Sequence, residues 1–78
     1  MNFIPGKLYR PTVYSIPLWK YISGGHFVCE KWIVNRDILF CTGAIKVDAF
    51  KIVYYEFLYN NKLFYLRPPY TPTSIEML

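Results

Sequence analysis

Seventy-eight residues, 54% hydrophobic and 21% aromatic with 18% charged, describe one small domain near the lower size limit for folding without staples. So many rings exclude a disordered tail, which lacks the apolar surface to offset chain entropy. They also exceed what so small a core encloses, so self-association or an apolar working face is expected. Nine Lys and Arg against five Asp and Glu give a net charge of +4, but the basic residues are dispersed, which excludes a polybasic arm for nucleic acid or membrane.

At the start of the chain, MNFIPGK has no positive region followed by a long apolar stretch, so no signal peptide is expected. Uncharged apolar runs reach about ten residues, half of what a membrane helix needs. A reduced protein of the cytoplasm follows. Cys29 and Cys41 sit in the strand-like runs HFVCEKWIV and DILFCTGAI, where free cysteine behaves as a small core residue.

Turn signals at Pro5-Gly6, Pro11, Pro17, Ser23-Gly24-Gly25, Asn35-Arg36-Asp37, Asp48, Asn60-Asn61 and Pro68-Pro69 cut the chain into short pieces rich in Val, Ile, Tyr, Phe and Trp. Those residues suit a pleated, half-buried surface, and no piece shows a useful 3.6-residue stripe. Five strands are predicted: Lys7 to Tyr14, His26 to Val34, Ile38 to Val47, Ala49 to Tyr59 and Lys62 to Arg67. A proline-marked loop through Ser15 to Lys20 joins the first two. Gly43 marks a bulge or bend in the third strand. The proline-rich tail over 68–78 is expected to run as an extended strap, with Ile75, Met77 and Leu78 closing one end in a short turn. Five short strands in one domain over 1–78 fit a small barrel, SH3-like or OB-like.

Asn60-Asn61 suits a two-residue type I′ turn, because Asn tolerates positive φ. Counting outward pairs Tyr59 with Lys62, Leu58 with Leu63, Phe57 with Phe64, Glu56 with Tyr65, Tyr55 with Leu66 and Tyr54 with Arg67. Alternation then separates two faces. Val53, Tyr55, Phe57, Phe64 and Leu66 form the core face, with Lys62 at its fringe. Tyr54, Glu56, Leu58, Leu63, Tyr65 and Arg67 form an outward contact face, with Tyr70 nearby. Tyr and Arg serve protein interfaces and base-stacking surfaces alike.

Catalytic and metal chemistry find little footing. One His and two Cys without a CxxC spacing do not make a zinc site, and His26 reads as a strand-edge residue. The five carboxylates are scattered, with no pair placed for acid–base work. Ser23-Gly24-Gly25-His26 matches neither nucleotide-loop fingerprint and reads as a hairpin turn. Pro69 and Pro72 have PxxP spacing but read better as part of the strap.

The segments PGKLYRP (Pro5 to Pro11), DILF (Asp37 to Phe40) and YEFLYNNKLFYL (Tyr55 to Leu66) resemble small SH3-like barrels encoded by tailed phages. That resemblance implies a five-stranded SH3-like barrel and an accessory protein that binds and disables a bacterial host or defence factor inside the host cell. It carries over no catalytic residue. The expected function is stoichiometric binding of a host protein, without enzyme activity, cofactor, metal or membrane. The contact residues are Tyr54, Glu56, Leu58, Lys62, Leu63, Tyr65, Arg67 and Tyr70, and the chain self-associates. Binding of nucleic acid or a nucleotide-type molecule is the alternative, and a virion or assembly role is a third.

Overall fold

The computed structural model describes residues 3–12, 15–67 and 74–78. Among them the chain is all-β, without a helix, in seven strands: β1 Leu8–Pro11, β2 Ile16–Ser23, β3 His26–Ile33, β4 Leu39–Val47, β5 Val53–Tyr59, β6 Lys62–Leu66 and β7 Ile75–Met77. They form one antiparallel sheet in the order β3-β2-β6-β5-β4-β1-β7. No ladder among the described residues joins β3 to β7, so the sheet is open.

The β5–β6 hairpin follows its turn chemistry. Asn60 and Asn61 take φ of 50° and 62°, the left-handed pair a type I′ turn requires. The pairs Tyr59↔Lys62, Leu58↔Leu63, Phe57↔Phe64, Glu56↔Tyr65 and Tyr55↔Leu66 follow as counted. Gly43 does mark a bulge. At φ 87° it lies among three β4 residues that face Glu56 alone, between Cys41↔Phe57 and Ile45↔Tyr55. A Cβ there would lie 2.7 Å from Pro5 Cγ, so the missing methyl seats the N-terminal segment against β4. Gly6 N donates to Cys41 O at 2.8 Å, and Phe3 reaches inward to pack edge-on against Tyr9, Tyr55 and Phe57.

Three expectations about elements are corrected. The stretch taken as a loop over Ser15 to Lys20 is the first part of β2, which pairs with β3 from Ile16↔Ile33 onward. Pro17 is tolerated because β2 meets β6 at a single ladder pair, Trp19↔Tyr65, so this end of the strand behaves as an edge, where proline fits. The fourth expected strand begins at Val53 rather than Ala49, because Asp48 holds a turn. Its Oδ1 accepts from Phe50 N at 2.8 Å and Ile52 N at 2.9 Å, and Lys51 takes φ 65°. The end of the chain is strand β7, paired with β1, rather than a short turn. The strap over 68–73, with its PxxP spacing and Tyr70, lies outside the described residues, as does Tyr14 at the end of the first expected strand.

One core draws on both ends of the sheet. Ile16, Leu18 and Ile33 from the β2–β3 hairpin meet Tyr9, Leu39, Cys41, Phe57, Phe64, Leu66 and Ile75. Phe57, Phe64 and Leu66 are buried as expected, while Tyr55 packs on the cluster only partly buried. Cys29, expected in a core, is exposed; Cys41 is buried, and both are free thiols. The bulge in β3 between Lys31 and Cys29 shifts the alternation that would otherwise have set Cys29's side.

Candidate functional site

Directly paired antiparallel residues project to the same side of a sheet, so the ladders sort the outer face of β4, β5 and β6 into three rows. Lys46↔Tyr54, followed by Arg67 just past β6, make the first. Thr42, Glu56 and Tyr65 make the second, joined by Glu56↔Tyr65 and by the hydrogen bond Thr42 Oγ1 donates to Glu56 Oε1 at 2.7 Å. Leu63↔Leu58, Leu58↔Phe40 and Phe40↔Leu8 make the third. Leu78 extends it, since its N–H donates to Leu8 O at 2.9 Å.

The first row and the Tyr65 end of the second are covered. The far end of the β2–β3 hairpin folds over them, and the ring of Phe27 stacks on Tyr54 with centroids 3.7 Å apart and planes 5° from parallel. Phe27 also meets Tyr65 and Tyr21 edge-on, and Trp19 meets Tyr54 in the same way. Lys46 Nζ lies 4.4 Å from the Tyr21 ring centroid, and the Arg67 guanidinium 5.3 Å from that of Trp19. At the hairpin tip Ala49 N donates to Gly25 O at 3.3 Å. A Cβ on Gly25 would stand 3.0 Å from that nitrogen, so only glycine permits the approach.

Tyr54 and Tyr65, expected on the surface, are therefore 2% and 4% exposed. Alternation assigned their side correctly and could not show what lies over it. The cover comes from the hairpin whose first half was taken as a loop. Burial raises the pKa of the Tyr65 hydroxyl, reinforced by the hydrogen bond it donates to Glu56 Oε2 at 2.8 Å. Burial likewise raises that of Tyr54, against the lowering effect of Arg67. Glu56 is the junction of this network, gripped from both sides by Tyr65 and Thr42.

The third row is open. Leu8 is 44% exposed, Phe40 39%, Leu63 50% and Leu78 53%, with Leu58 half-buried among them. Its flanks are polar: Asn60 and Asn61 at one end, and at the other Arg10 Nε paired with Glu76 Oε1 at 2.6 Å. Of the expected contact residues, Leu58 and Leu63 belong here, whereas Leu8, Phe40 and Leu78 were missed. Finding them requires the β4–β5 register, which the bulge at Gly43 hides from any count along the sequence.

Lys62 stands apart from both halves. It projects to the side of Tyr59, into a cleft of about 310 Å³ lined by Glu30, Lys31, Tyr59, Asn60, Lys62 and Phe64. Among the described residues no cluster of His, Cys, Asp and Glu is arranged to hold a metal, and no helix is long and apolar enough to cross a membrane. No family model, curated protein or solved structure matches this chain.

Proposed function

We propose that this is a non-enzymatic protein that acts by stoichiometric contact with a partner protein, seated on the apolar row Leu63–Leu58–Phe40–Leu8–Leu78. The observation that carries the reading is the row itself. Four exposed large apolar side chains, Leu8, Phe40, Leu63 and Leu78, lie in line with the half-buried Leu58, drawn from four strands and the residue after β7, within a polar rim of Asn60, Asn61, Thr42 and the Arg10–Glu76 pair. An apolar centre inside a polar rim is the anatomy of a protein interface. The exposed area is on the order of 400 Å², within the range of the largest, often functional, patch on a monomer.

The carboxylates support a binding role over an enzymatic one. All five are engaged internally: Glu30 with Lys20, Asp37 with Val34 N and Tyr59, Asp48 with its own turn, Glu56 with Thr42 and Tyr65, and Glu76 with Arg10. The likeness to phage-encoded barrels favours a bacterial host or defence protein as the partner, met in the host cytoplasm. The core shared by both ends of the open sheet favours reading it as a splayed SH3-like barrel. The stacking platform expected of a nucleic-acid binder on Tyr54 and Tyr65 loses support, because those rings are covered.

Capture from bacterial lysate, with light scattering of the purified chain, tests the reading. Wild type is expected to retain one protein in simple stoichiometry, and the double variant Phe40→Ser, Leu63→Ser to lose it with the fold intact. Doubling of the mass through the row, with nothing retained, would instead make a second copy the occupant. A double variant that behaves as wild type in both measurements removes the row from the function.

A further inference from the structure

We propose that the cleft beside the Asn60–Asn61 turn binds a small anion carrying a flat apolar group, of the size and chemistry of a nucleoside monophosphate. This site is separate from the apolar row and does not depend on it. Two ammonium groups are brought together there by independent parts of the fold. Lys62 is the direct cross-strand partner of Tyr59, so it projects to the same side as that ring. Lys31 arrives from β3 and places its Nζ 5.1 Å from the Tyr59 ring centroid. The left-handed residues Asn60 and Asn61 make the turn between Tyr59 and Lys62 tight, which fixes one wall.

The ring is held as well. Tyr59 OH donates to Asp37 Oδ1 at 2.7 Å, and its ring packs edge-on with Phe64, centroids 6.2 Å apart. Tyr59, backed by Phe64, thus supplies an apolar wall beneath the Lys31 ammonium, with Lys62 on the same side.

Charge decides the ligand's sign. Of the two nearby carboxylates, Glu30 pairs with Lys20 at 3.6 Å, while Asp37 accepts from Tyr59 OH and from Val34 N at 2.7 Å and offsets one of the charges of Lys31 and Arg36. Lys31 and Lys62 have no carboxylate within ion-pair distance among the described residues, and the positive charge of Arg36 also reaches Tyr59 and Asp37. An anionic group bridging Lys31 and Lys62 neutralises this excess. A flat group then lies against Tyr59 and the small exposed rim of Phe64, with the Asn60 amide at its polar edge. The volume of about 310 Å³ is at the small end for ligand sites, which suits a ligand of mononucleotide size.

Calorimetric titration at low salt with adenosine monophosphate, adenosine and inorganic phosphate tests the site. The monophosphate is expected to saturate a single site, with adenosine and phosphate each at least about tenfold weaker. Lys31→Ala and Lys62→Ala should each weaken it by about tenfold or more, the loss of one charge-assisted contact, with thermal melts unchanged. Lys51→Ala, in the exposed β4–β5 loop, should leave binding as in wild type. Absence of saturation with all three probes overturns the proposal. So does phosphate binding as tightly as the nucleotide, or an equal loss from Lys51→Ala, which would mean diffuse charge rather than a site. None of these results bears on capture through the row.

Discussion

The outer face of the β5–β6 hairpin has two halves, composed alike and treated differently. Tyr54 and Tyr65 lie under Phe27 and Trp19, while on the same strands and the same side Leu58 is half-buried and Leu63 is 50% exposed. Hydrophobicity does not separate them, since the leucines are the more apolar pair. The hydroxyls do. A covered tyrosine needs a partner for its O–H, and Glu56 provides it for Tyr65. The open leucines require no such partner, and their exposure is a cost that a contact would recover at about 25 cal/mol per Å² buried. One half of the face thus stabilises the fold, and the other is left available.

The largest expected effect sets a reference for both halves. Phe57→Ala, in the shared core, should cost about 3–5 kcal/mol, enough to unfold a domain of this size. Chemical denaturation followed by circular dichroism measures it. Tyr65→Ala should approach that loss, at about 3 kcal/mol, because it empties the covered cluster and strips Glu56 of a donor. Tyr65→Phe keeps the ring and should cost about 1–2 kcal/mol. A Tyr65→Ala melt equal to wild type would show that the cover is not a stable part of the fold.

Leu63→Ser should change stability by less than about 1 kcal/mol while weakening partner capture by tenfold or more, a split read by running melts and pull-downs on one preparation. Loss of stability comparable to Tyr65→Ala would mean that the row is buried in the working protein.

The smallest effects are those of pH. Burial before all else raises the folded pKa of Tyr54 and Tyr65, and the hydrogen bond to Asp37, then burial, raises that of Tyr59. Their contribution is therefore complete below the unfolded value of about 10 and is lost as pH rises through the folded values. Ultraviolet titration should show these three rings ionising above the ordinary tyrosine value of about 10, together with unfolding. Asp37 and Asp48 shift the other way. Partial burial, which raises each, is outweighed by the N–H and O–H groups they accept from and by nearby arginine charge. Their contribution holds above about pH 3.9 and fades as pH falls through the lowered folded values. Asp48→Asn should flatten the acid limb of the stability curve.

How much of this was legible depended on whether the information is local. The Asn60-Asn61 turn and the alternation beside it set the β5–β6 register, since both follow from a few consecutive residues. Gly43 likewise announced its bulge. Two bends of the β2–β3 hairpin stayed hidden, because β2 carries a proline and its register shifts twice against β3, between Leu18 and Trp19 and between Tyr21 and Ser23. Period-two counting cannot cross such shifts. The open row depends on ladders joining β6, β5, β4, β1 and Leu78, and three of its five residues lie outside the hairpin that could be counted.

The seat of Pro5 over Gly43 has a consequence for how this sequence can vary. The proline ring occupies the space where a side chain at position 43 would stand, and the segment it anchors delivers Phe3 to the core. A side chain at 43 therefore meets two obstacles, the ring at 5 and a φ of 87° that residues with a Cβ rarely adopt. Loss of the ring relieves only the first, and at the expense of Phe3's place beside Phe57. In related chains glycine at 43 should persist whatever stands at position 5, and a double-mutant cycle between them should recover the clash and leave the backbone strain.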